Sequence, residues 1–211
     1  MDNAIHEFED HLRELTSLGL DAQWQRIKLE WEPQITAVLT SAAKASGKAL
    51  LSAIIQYQRT PWPRRNLASL RLRLVREITA IADDRAHTAK ELLAEMVRQE
   101  SREQADLLTI NGLLAAPPRL EHAHPDPTYW PRRLAAGAAL DRAVAASLAK
   151  FLSAVFDAAQ EAEPSGTGLA QLREAVDQAV GRWRSRLKAI AHTMIYSVAN
   201  RTRQVVSQSL S

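Results

Sequence analysis

A chain of 211 residues, 46% hydrophobic and 24% charged, can form one large domain or two small ones around a sizeable core. It contains no cysteine, which excludes disulfides, thiolate metal sites and cysteine nucleophiles within the chain. Aromatic residues make up only 5%, glycines number 7, and Ala, Leu, Arg, Gln and Glu dominate, a composition that favours helix over sheet.

The first 32 residues carry eight acids (Asp2, Glu7, Glu9, Asp10, Glu14, Asp21, Glu30, Glu32) against three bases (Arg13, Arg26, Lys28). This start lacks the basic-then-apolar run of a signal peptide. The best candidate stretch, residues 49–55, is far short of the roughly 20 residues that cross a bilayer, so no membrane span is expected. A weak break falls at residues 18–21, around Gly19, and a stronger one at 58–66, where prolines bracket Trp62. Asn66 is a plausible N-cap, and Leu67, Leu70, Leu74, Ile78 and Ile81 then recur at helical spacing. Leu93, Met96, Val97, Leu107 and Leu108 continue the stripe toward a stop at Asn111-Gly112, which predicts one long helix with Asp83-Asp84 as its kink point. Residues 115–133 hold five prolines and read as a loop, and 163–168 (EPSGTG) as a turn. In the last segment Trp183, Leu187, Ile190, Ala191, Met194 and Val198 share a face.

The expected fold is all-α, an elongated bundle of about six helices joined by Pro-rich loops. Four regions follow: an acidic helical region over 1–58, a long amphipathic segment over 59–114, the Pro-rich loop over 115–133 and a C-terminal helical region over 134–211. Two basic runs lack acids: Arg59, Arg64, Arg65, Arg71, Arg73 and Arg76, and, after Asp177, Arg182, Arg184, Arg186, Lys188, Arg201 and Arg203. Each is either a solvated helix face (or one end attracting the other), or a surface for an acidic partner such as nucleic acid. Trp62 with Arg64 and Arg65, and Trp130 with Arg132 and Arg133, nearly repeat one motif and are candidate interface residues, or else tryptophans pinning loops to helices.

No catalytic constellation emerges, so a binding role is expected rather than an enzymatic one, with no cofactor. His122 and His124, beside Glu121 and Asp126, lie in a loop that fixes no ligand geometry. His6 and His11 are five apart, which is not a helical ligand spacing, and Asp83 and Asp84 point in different directions. The turn Ser165-Gly166-Thr167-Gly168 reads as a helix start, not a phosphate loop.

Residues 184–206, RSRLKAIAHTMIYSVANRTRQVV, resemble the helix that ends the shared region of phage head morphogenesis proteins, the Mu F-like minor head protein family. The matching positions are Ile190 and Ala191, then Thr193, then Asn200 followed by a base, with Thr193 and Asn200 seven apart on one face. The GTGLAQLREAV and YWPRRL segments also look like the family's pattern, and the resemblance extends loosely over residues 60–211. Met194 stands where family members commonly carry an acid, and the Asp- and Cys-containing region that often follows this helix in the family is missing from this sequence.

The resemblance implies a non-enzymatic virion protein, a minor head or portal-associated protein at the portal vertex or capsid interior, assembled in the host cytoplasm. Its implied partners are portal or capsid proteins and double-stranded DNA, and a homo-oligomer is compatible with it. The alternative is a helical adaptor or chaperone-like interaction module unrelated to virions.

Overall fold

A computed structural model describes residues 18–19, 21–59, 67–110, 129–135, 139–162 and 169–208, and all of these are helical. Four long helices carry the chain: α1 (Glu32–Arg59), α2 (Leu67–Ile110), α4 (Ala139–Ala162) and α5 (Leu169–Gln208), with the seven-residue α3 (Tyr129–Ala135) between α2 and α4. The all-α expectation holds, whereas the expected six or so helices are, among the described residues, four long ones with the short α3 between two of them.

The single long helix expected after residue 66 is present as α2, and the Asp83-Asp84 step does not interrupt it. Asp83 and Asp84 are both exposed on an unbroken α2, so their carboxylates are solvated without disturbing the backbone. Leu18 and Gly19 are themselves helical, and Gly19 lies against the Leu107 side chain, where the missing Cβ allows close approach. A further break is overridden at YWPRR, which the proline count assigns to a loop. Pro131 is the third residue of α3, within the first turn, where the missing N–H has no intrahelical partner to lose.

Helix α1 is entered through a π-helical turn, Ile27–Trp31, in which the Glu32 amide bonds back to the Ile27 carbonyl. The wider turn keeps Ile27, Trp31 and Ile35 all in the core. The stretch Asp21–Gln56 is 36 residues long, and its most apolar window reaches a mean hydropathy of 1.2, enough to cross a membrane by length and composition. The window reaches that value without a long apolar run, because alanines and single polar residues lie within it. Ile35, Leu39 and Leu50 from this helix are buried in the bundle, as the core helix of a bundle requires.

Two compact units can be separated, each drawn from several stretches of sequence. The first comprises residues 1–35, 90–137 and 193–211, and the second 36–89 and 138–192. The second unit is a four-helix arrangement of α1, α2, α4 and α5 with an aromatic centre. Phe151 and Trp183 stack with centroids 4.4 Å apart and planes 17° from parallel, and both are buried. Leu39, Leu50, Leu74, Ile78, Leu148 and Leu187 complete this core.

Two glycines of the second unit have opposite environments. A Cβ on Gly47 would lie 2.8 Å from Cγ2 of Val180, a β-branched side chain that cannot swing aside, whereas a Cβ on Gly181 would meet nothing within 4 Å. Gly181→Ala is therefore expected to stabilise the protein by about 0.5–1 kcal/mol through helix propensity. Gly47→Ala should lose that gain to overpacking and be net destabilising. Urea unfolding of the two variants checks the pair, and equal stabilisation by both would contradict the packing described.

Candidate functional site

The sequence singled out the cations of the last helix, and α5 places them by a simple rule. Trp183 and Leu187 are fully buried, so these two positions define the inward direction. Arg182 and Arg184 lie on either side of Trp183, and Arg186 and Lys188 on either side of Leu187, each rotated roughly 100° from its buried neighbour. Arg182 and Arg186 therefore form one exposed flank and Arg184 and Lys188 the other. They are two edges rather than one surface.

Among the described residues none of these four, nor exposed Arg201, has an acidic partner. An open groove of about 470 Å³ runs along the first flank, lined by Gln178, Gly181, Arg182, Ser185 and Arg186. The small residues keep it open, and the Ser185 hydroxyl donates to its own helix at the Gly181 carbonyl, 3.2 Å away, rather than into the groove.

Arg203 behaves differently. Its guanidinium lies 3.9 Å from the centroid of the Trp24 ring and 3.6 Å from Oε2 of Glu100, with the side chain only 12% exposed. Trp24 in turn stacks on Tyr196 at 5.1 Å, and the Tyr196 hydroxyl donates to Glu32 at 3.3 Å. Burial raises the Tyr196 phenol above its ordinary value, and the Glu32 carboxylate adds to the shift. Arg203 thus serves an internal contact of the first unit and is not part of the exposed cationic set.

Its counter-ion, Glu100, was not found from the sequence. Burial pushes the Glu100 carboxyl up to about 7, the neighbouring Glu103 charge adds to that, and Arg203 and Arg26 pull the other way. Burial also lowers Arg203, against the attraction of Glu100. Arg26 bonds Glu103, which also accepts from Gln99 at 3.1 Å. A signal was available: Glu100 and Gln104 continue the stripe of Leu93, Met96 and Val97 at helical spacing, so the pattern put polar residues on a core face.

The residues that carried the minor-head-protein resemblance divide by exposure. Ala191 is buried and Ile190 half-buried, while Thr193 and Asn200 are exposed. On α3 the Arg133 guanidinium sits 5.4 Å from the Trp130 ring and 5.6 Å from the Tyr129 ring, and donates to the Tyr129 hydroxyl. Arg132 is exposed and Trp130 half-buried. Trp62, Arg64, Arg65, Asn66, His6, His11, His122, His124, Asn111-Gly112 and residues 165–168 lie outside the described residues. Among the described residues no three His, Asp or Glu side chains converge as metal ligands.

No family model matches the chain, and no curated protein or solved structure matches it either.

Removing Arg203 leaves a buried carboxylate without its nearest cation. We expect Arg203→Ala to cost about 3 kcal/mol near pH 8, where Glu100 is ionised, and clearly less near pH 5, where it is protonated. Urea unfolding at the two pH values checks this, and an equal loss at both would show that Arg203 acts through packing on Trp24 alone.

Proposed function

We propose that this protein is a non-enzymatic helical binding protein that uses the exposed cations of α5 to hold an acidic macromolecule. The observation that carries the reading is the freedom of Arg182, Arg184, Arg186, Lys188 and Arg201 from any acidic partner among the described residues. Clustered arginines along a helix create a local positive potential that neutralises phosphates without reading sequence. In the setting implied by the resemblance of residues 184–206, the chain is a phage virion protein, a minor head or portal-associated protein that contacts portal or capsid proteins and the DNA backbone during head assembly, packaging or ejection. Exposure of Thr193 and Asn200 favours this over a self-contained helical adaptor, which would bury that face in its own core.

The full chain is expected to bind double-stranded DNA with a slope of log affinity against log salt of about −2 to −4, one phosphate per engaged cation. The double variant Arg182→Glu with Arg186→Glu, on the flank that borders the groove, should reduce the magnitude of that slope by about 2. Binding that is indifferent to salt, or absent near 50 mM salt, would eliminate the phosphate-driven contact.

A further inference from the structure

The first unit encloses charged and polar side chains beside its aromatic rings. Glu100 is fully buried, and neither of its carboxylate oxygens receives a hydrogen bond. Gly19 against Leu107 and Arg26 against Glu103 set an antiparallel register between α2 and the turns that lead into α1. That register puts Gln23 opposite Gln104. Both are buried, and the Gln23 amide and the Gln104 carbonyl oxygen lack partners. Helix α5 closes the centre from a third side with Arg203. A cluster with so many unsatisfied polar atoms is held by its surroundings more than by its own bonds, and each such atom weakens the packing there.

We propose that this polar centre is a proton-operated clamp on the end of α5: with a proton on Glu100, residues 193–208 stay packed in the first unit, and loss of that proton to solvent loosens them. The inference does not depend on what the cations of the second unit bind.

The charged groups that act on Glu100 are Glu103 from its own helix, Arg26 from the turns before α1 and Arg203 from α5; α3 supplies none among the described residues. Two cations do not offset the burial of this carboxylate together with a second one beside it. In the packed state Glu100 therefore keeps its proton up to about pH 7, whereas a glutamate exposed by opening loses it near 4.5. Opening releases a proton between these two values, so the opening equilibrium grows with rising pH in that window and levels off above it. Arg203 comes free in the open state and adds a cation beside exposed Arg201.

Amide hydrogen exchange of the full chain, corrected for intrinsic rates, tests the clamp. Opening of residues 198–206 should increase close to tenfold per pH unit from about pH 5 to pH 7 and then level off. Amides over 176–191 should show no matching rise, and Glu100→Gln should abolish the rise in 198–206. A pH-independent opening, a rise shared equally by 176–191, or a rise that persists in Glu100→Gln would each overturn the proposal. Should that variant not fold, a carbon-13 titration of Glu100 in the unaltered chain decides: a midpoint near 7 supports the clamp, and one near 4.5 refutes it.

Discussion

Burial of Trp183 against Phe151 is the constraint that orders the second unit, because a flat stack of two large rings fixes both the separation and the rotation of α4 and α5. Once Trp183 and Leu187 point inward, every other position on that stretch of α5 is assigned. The residues beside them must point sideways, and in this sequence they are Arg182, Arg184, Arg186 and Lys188. A helix that places a base at every second position through RWRSRLK would read as a β pattern if only the charges were considered. It is helical because Val176, Ala179, Trp183, Leu187 and Ala191 follow a three-to-four spacing, and that stripe has a core to enter.

The first unit has a different character. Its equivalent inward positions on α2 include Glu100, Ser101 and Gln104, so the stripe that is hydrophobic at Leu93 and Val97 turns polar. Ion pairs in such a place contribute little net stability, because the desolvation of both charges offsets their attraction. What they supply is discrimination between arrangements: a one-turn slip of α5 would separate Arg203 from Glu100 and from the Trp24 ring together. The second unit thus relies on ring packing, and the first combines ring stacking with buried polar contacts.

The sequence made much of this legible. Leu74, Ile78, Leu93, Met96 and Val97 were placed on the α2 stripe and are buried, as are Trp183, Leu187, Ala191 and Val198 on α5. The long α2 is legible as one helix, and it is continuous over Leu67–Ile110. Local signals are overridden at Gly19 and at Asp83-Asp84, which are tolerated in helices that packing on one face already holds. YWPRR failed for a positional reason, since a proline is excluded from a helix interior but not from its first turn. Arg203 was grouped with the other cations because nothing local separates it from Arg201. Its distinction comes from Trp24 and Glu100, which are remote in sequence and reach it only through the fold.

The central claim is a partition of arginines on one helix into those that face solvent unpaired and one held inside. Residue-resolved arginine modification by a dicarbonyl reagent under native conditions, read by mass spectrometry, tests it most directly. Arg182, Arg184, Arg186 and Arg201 should react readily, while Arg203 reacts slowly until the protein is denatured. Protection of the first four in the isolated chain, or free reaction of Arg203, would contradict the account.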